Sequence, residues 1–257
     1  SNGTLPDGAL TFGTATYNAS GGAIERMRID SSGNVLIGGT TFDTGNFSGS
    51  ANGLNVFDAT HPIINVIEST GGTSLYMGKT TTQAFIGTAD AHDLRILTND
   101  SDSMKIDSAG HVTMPKQPAF AARPSSIQSN LATGTDVKIE FATEIFDQNA
   151  DFNTTTHTFT APVTGKYFLG ATLRTDSIDQ AASYYRLQII TSNRNYYPLI
   201  AAGSVFGASD PTYANLQGFA LADMDASDTA YIVVSQIAGT AQTDISTESQ
   251  FQGYLVA

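Results

Sequence analysis

Apolar and polar residues alternate over much of the chain, the period-two pattern of strands that bury one face. Tyr167, Leu169, Ala171 and Leu173 fall on one face, as do Tyr185, Leu187 and Ile189. Tyr231 and Val233 point one way, and Ile232 and Val234 the other. Helical spacing is scarce, and turn residues separate the runs. The pattern predicts an all-β protein in both halves.

Composition divides what the pattern unites. Residues 1–116 carry 16 of the 24 glycines and 7 of the 24 aromatics, and residues 117–257 carry the remaining 8 and 17. Ordering glycine costs the most backbone entropy, so the first half is a poor candidate for a monomeric core. The second half has the aromatic content of a globular domain. Met114-Pro115-Lys116-Gln117-Pro118 marks the boundary, because two prolines in four residues stop strand pairing. The predicted domains are therefore 1–116 and 117–257.

Within the first half a nine-residue segment repeats. Met27-Arg28-Ile29-Asp30-Ser31-Ser32-Gly33-Asn34-Val35 returns 77 residues later as Met104-Lys105-Ile106-Asp107-Ser108-Ala109-Gly110-His111-Val112, identical at six of nine positions. The spacing predicts a tight hairpin. Asp30 and Asp107 would accept from backbone amides as the turn opens, and Gly33 and Gly110 would take the left-handed conformation as it closes. Met27 and Ile29 then share a face with Val35 and Ile37 across the turn. The stretch Glu25 to Val35, followed by Leu36-Ile37-Gly38-Gly39, resembles a recurrent segment of bacteriophage tail fibres and related virion proteins. Leu94–Asn99, Ser74–Gly78 and Ala84–Gly87 share the short-strand texture of such fibres. That resemblance implies an intertwined trimeric β-shaft, in which a glycine-rich half buries against neighbouring copies what it cannot bury alone.

In the second half, Phe141, Phe152, Phe159 and Tyr167 are large side chains suited to filling the layer between two sheets. Pro162 and Gly165 bracket a turn. The opening Pro118-Ala119-Phe120-Ala121-Ala122, the spaced set Phe141, Asp147, Phe152, Phe159, Gly165 and Tyr167, and the closing Phe251-Gln252-Gly253-Tyr254-Leu255-Val256 resemble the globular heads of complement C1q, within the tumour-necrosis-factor-like jelly rolls. The family prefers aromatics where this chain has Leu169 and Ala171. The resemblance implies a jelly-roll β-sandwich head and, like that of the first half, a homotrimer.

Charge narrows the partners. Twelve Lys and Arg against 24 Asp and Glu give a net charge of −12, which repels nucleic acid and anionic lipid, and no apolar run is long enough to insert in a membrane. Without cysteine there is neither a disulfide nor a thiol nucleophile. The opening Ser1–Gly8 has no initiator Met and no signal peptide, and the chain reads as a segment of a longer protein, joined to other virion proteins through what precedes it. No nucleophile elbow, phosphate loop, zinc-helix or calcium-loop motif is present, so no enzymatic role is expected.

Two clusters carry candidate chemistry. Asp223, Asp225 and Asp228 offer oxygens to a hard cation, with a structural calcium ion as the candidate, although a solvated turn explains them as well. Arg194, Asn195, Tyr196, Tyr197 and, in another loop, Tyr213 combine phenol rings with hydrogen-bonding groups, which suits recognition of a surface glycan or protein by stacking. Adjacent strand residues face opposite ways, so one of Tyr196 and Tyr197 is expected to be packed. The sequence thus reads as a virion-surface fibre segment whose head attaches to a host. The alternatives are a capsid decoration fibre without a receptor and a secreted or cell-surface bacterial adhesin.

Overall fold

The computed structural model describes residues 8–14, 23–39, 54–56, 58–67 and 74–257; the opening residues 1–7, read above as the start of a segment, lie outside them. Every regular element among the described residues is a strand, apart from a 3-10 turn at Gly203–Phe206, and no helix among them is long and apolar enough to cross a membrane. The chain separates into two compact units. One comprises Ser1–Ile96 with Lys105–Thr113, and the other comprises Leu97–Met104 with Met114–Ala257.

In the first unit β1 (Leu10–Thr14), β2 (Ile24–Ile29), β3 (Val35–Ile37) and β4 (Leu54–Val56) form one sheet in that order. A three-stranded sheet follows from β5 (Ile63–Ile67), β6 (Ser74–Lys79) and β7 (Ala84–Thr88). A third sheet, whose residues do not all belong to the first unit, has the order β10 (Val112–Thr113), β9 (Ser101–Ile106), β8 (Leu94–Thr98).

The repeated segment folds as two hairpins of the same design. Ile29 pairs with Val35 and Ile106 with Val112. Asp30 Oδ1 accepts from the amides of Ser32 and Asn34, both at 2.9 Å, and Asp107 Oδ1 accepts from Ala109 and His111 at the same distance. Gly33 and Gly110 have φ of +87° and +92°, the left-handed region that favours glycine. These contacts hold both carboxyls below the usual range, chiefly through the side chains of Asn34 and His111. Replacing Asp107 with alanine should speed hydrogen exchange of the Ala109 and His111 amides roughly tenfold, while Asn34 stays protected. The register puts Met27, Ile29, Val35 and Ile37 on one face as expected, yet the fully buried side chain, Leu36, comes from the other.

The second unit is a sandwich of two antiparallel sheets. Its strands are β11 (Ala119–Arg123), β12 (Asp136–Lys138), β13 (Thr143–Asp147), β14 (Phe152–Asn153), β15 (Thr158–Thr160), β16 (Gly165–Asp176), β17 (Tyr184–Thr191), β18 (Asn195–Ala201), β19 (Tyr213–Met224), β20 (Thr229–Ile237), β21 (Asp244–Ile245) and β22 (Gln250–Leu255). One sheet runs β13-β11-β22-β16-β19 with β21 on β16, and the other runs β14-β15-β20-β17-β18 with β12 on β20. The predicted inward faces are the buried ones: Tyr167, Leu169, Ala171 and Leu173 from β16, and Tyr185, Leu187 and Ile189 from β17. Phe141, Phe152 and Phe159 join them between the sheets. Phe120 is the hub, stacked on Phe159 at 4.7 Å and Phe152 at 5.0 Å, with Phe251 edge-on at 5.0 Å.

Candidate functional site

The residues expected to meet a receptor fall into separate places. Arg194 closes the turn between β17 and β18, where the Thr191 amide donates to its carbonyl at 3.0 Å. Asn195, Tyr196 and Tyr197 lie within β18 rather than in a loop. Tyr196 turns inward against the core, as alternation requires of one of the pair, and Tyr197 stays half exposed with the Arg186 guanidinium 5.3 Å from its ring centre. Tyr213 opens β19, with the Arg174 guanidinium 4.4 Å from its ring centre. Arg174 is held there by Asp176 at 3.1 Å and Glu248 at 2.5 Å.

Strand register measures the separation. Tyr213 pairs with Asp176 at one end of β16, and Asp223 pairs with Lys166 at the other. The Asn193 side chain donates to the Asp223 carbonyl at 3.1 Å, which ties the Arg194 turn to that second end. Ten residues of strand between Tyr213 and Asp223 span roughly 33 Å. The structure therefore groups Arg194, Asn195 and Tyr197 and leaves Tyr213 apart.

The three aspartates proposed for a cation take separate partners. Asp223 pairs with Lys166 at 2.5 Å. Asp228 accepts from the Asp225 amide at 2.7 Å and from Asn193 at 2.6 Å. Ser227, at φ +78°, completes a turn whose Ala226 amide is held by Thr164. These carboxylates do not converge on a common point, and among the described residues no group of three or more His, Asp or Glu is placed to hold a metal ion.

The sandwich presents two unlike outer faces. On the β16 sheet the face is aromatic. Phe168 stacks on Tyr254 at 5.3 Å and on Phe219 at 5.8 Å. Phe219 is 71 % exposed, Leu221 60 % and Tyr254 49 %. Register makes them contiguous, since Phe168 pairs with both Leu221 and Tyr254. Beside them Gly170, Gln217, Phe219 and Gln252 line a shallow hollow of about 520 Å³. A contiguous apolar patch of this kind is a candidate interaction surface.

On the β17 sheet the face is polar and self-bonded. Asp136 accepts from Gln188 at 3.0 Å, from Arg186 at 3.1 Å and from the Ser235 hydroxyl, while Gln188 also donates to Ser235 at 2.9 Å. Lys138 Nζ lies 4.1 Å from the Tyr231 ring centre. This network, which Tyr197 borders through Arg186, escaped the sequence reading. Only the outward phase of Arg186 and Gln188 on an alternating strand hinted at it.

Hydrogen bonds from Ser235, and then from Gln188 and Arg186, hold the Asp136 carboxyl below its ordinary range against the opposing effect of burial. Its contribution to stability is present above the unfolded value of about 3.9 and is lost as pH falls through the lower folded value. Asp151 runs the other way. Burial, reinforced by the Asp147 charge and opposed by Asn149, pushes its carboxyl up, so the folded state is penalised as pH rises past the unfolded value. Asp136→Asn should therefore lower the melting temperature at pH 7, and Asp151→Asn should raise it. The Asp151 difference should close as pH falls below the unfolded value, and the Asp136 difference only at still lower pH, as its lowered folded value is passed, which calorimetry against pH would record.

The sequence profile of the C1q domain matches residues 119–256. Among solved structures, the globular domain of zebrafish complement 1qA is 18 % identical over 55 % of this chain and 98 % of its own, with a TM-score of 0.41. Murine APRIL at pH 8.5 is 10 % identical over 55 % of this chain and all of its own, with a TM-score of 0.40. No curated protein matches in sequence.

Proposed function

Because the chain belongs to the C1q domain family, we propose that its second unit is the head of a homotrimeric attachment fibre, with the aromatic face of the β16 sheet turned toward the other copies. The observation that carries this reading is the contiguous, uncharged patch of Phe168, Phe219, Leu221 and Tyr254, too apolar to be left in water. Three such faces meeting about an axis leave the β17 sheets outward, so that the Arg194–Tyr197 edge is displayed three times. The fibre assignment draws on the repeated Asp30 and Asp107 hairpins, whose sequence resembles virion fibres, and the net charge of −12 suits a particle that must remain dispersed.

In this reading the protein performs no bond-breaking step. It holds a host surface glycan or protein through shallow, repeated contacts, in which Tyr197 offers a ring for stacking and Arg194 and Asn195 offer hydrogen-bond donors. One such site is weak, and three on a rigid head gain orders of magnitude by avidity. The test is binding of the fluorescently labelled chain to bacterial cells and to arrays of purified lipopolysaccharide and capsular polysaccharide. Saturable binding that falls at least tenfold in Tyr197→Ala, with oligomeric state unchanged, is the expected result. Absence of binding across the cells and arrays would overturn the attachment role.

A further inference from the structure

The outer face of the β17 sheet carries a cation without a counter-charge. Elsewhere in the second unit Lys166 pairs with Asp223, Arg174 with Asp176 and Glu248, and Arg186 with Asp136. Lys138 pairs with no carboxylate among the described residues. Its Nζ donates to the Thr158 hydroxyl at 2.8 Å and lies over the Tyr231 ring, which together fix its position. Asp136, two residues before it on the same face, already accepts from Gln188, Arg186 and Ser235. Glu140, two residues after it, makes no ion pair with it. Burial lowers the Lys138 amine from its ordinary value, as expected of an ammonium that has lost water without gaining an anion.

Register extends a strip from this amine across the sheet. Lys138 pairs with Val233 on β20, and Val233 with Gln188 on β17. In the neighbouring row Tyr231 pairs with Ile190, and Ile190 with Asn195 on β18. Paired residues share a face, and so do residues two apart along a strand, so both rows look outward. Val233 and Gln188 are buried at 5 % and 1 % exposed and form a fixed floor. The Asn195 side chain donates to the Tyr197 hydroxyl at 3.4 Å, which brings that ring to the far end. From β12 to β18 there are three inter-strand steps, roughly 14 Å, enough for a short oligosaccharide.

Along the strip come a held ammonium, the apolar flank of Ile190, the amide of Asn195 and the ring of Tyr197. A pyranose is complementary to that order, with C–H faces for apolar and aromatic groups and hydroxyls for the amide. One ammonium supplies a single charge, without the fork of an arginine cluster, and so suits a monoanionic carboxylate. A chain of net charge −12 repels an acidic polymer over much of its surface, so an unpaired cation decides where one docks. We propose that this strip binds an acidic polysaccharide, with a uronic-acid carboxylate on Lys138 Nζ and the sugar chain running over Ile190 toward Asn195 and Tyr197. The proposal rests on the attachment reading above and gives it a ligand class and a second anchor.

The test is calorimetric titration of the full-length chain with polygalacturonate, with its methyl ester, which keeps the sugar and removes the charge, and with polyglutamate. Wild type is expected to bind the acid at least tenfold more tightly than the ester or the polypeptide. Lys138→Gln should abolish that preference while binding the ester like wild type, which also shows the fold intact. Lys166→Gln, which removes a cation already paired with Asp223, should keep the preference. Equal binding of acid and ester, polyglutamate bound as tightly as the acid, or a preference that survives Lys138→Gln overturns this site. So does failure to bind either polysaccharide, and if bacterial cells are still bound the attachment reading stands. Failure to bind cells as well overturns both.

Discussion

Replacing Phe219 and Leu221 together by aspartate is expected to convert an assembly of three 27.0 kDa chains into single chains, read by light scattering on the full-length protein. Both side chains point away from the sandwich, at 71 % and 60 % exposed, so the fold loses little. Association loses much more. Each copy forfeits roughly 3–6 kcal/mol of apolar burial from two large side chains. Six carboxylates would also face one another in a low-dielectric interface, where like charges repel strongly. A circular dichroism spectrum matching wild type would show the sandwich intact. The same variant should bind a polysaccharide array at least a hundredfold more weakly, since one shallow site replaces three. If it remains trimeric, the β16 sheet is not the interface, and the apolar patch needs another partner.

Much of this architecture was legible in the chain because strands obey short-range rules. Alternation placed Tyr167, Leu169, Ala171 and Leu173 inward, and the turn chemistry of Asp30 and Gly33 fixed a hairpin that Asp107 and Gly110 reproduce. What stayed hidden depends on long-range pairing. On β16 the neighbours Tyr167, Phe168 and Leu169 are all large and apolar, and alternation alone cannot tell a core-facing aromatic from one facing a partner; only the β19 and β22 partners of Phe168 reveal an outer patch. Asp136 and Ser235 are 99 residues apart in sequence, so their shared network has no local signature. The same limit separated Tyr213 from Arg194. Both sit near strand ends with turn-like neighbours, but β19 runs from Tyr213 at one end of the sandwich to Asp223, beside the Arg194 turn, at the other.

The sharpest test of the core lies where Gly253 crosses beneath Phe120. In register, Gly253 pairs with Phe120 on β11 and with Leu169 on β16, both buried. A Cβ added at Gly253 would lie 2.7 Å from Leu169 Cδ2, 2.8 Å from Phe120 Cε1 and 2.9 Å from the Phe168 carbonyl oxygen. Gly253→Ala is therefore an overpacking change, expected to cost about 1–3 kcal/mol. Phe120→Ala acts in the opposite sense, removing the ring on which Phe152, Phe159 and Phe251 converge, at about 3–5 kcal/mol and a fall in melting temperature of roughly 10 °C or more. The double variant should lose less than the sum, because the new methyl enters space that the Phe120 ring has vacated. It should not return to the Phe120→Ala value, because the close approach to the Phe168 carbonyl persists whichever side chain occupies position 120. Calorimetry at one fixed protein concentration, needed because assembly shifts apparent stability, supplies all four corners of the cycle. Additive losses would mean that β16, through the Leu169 side chain and the Phe168 carbonyl rather than the aromatic hub, is what requires glycine at position 253.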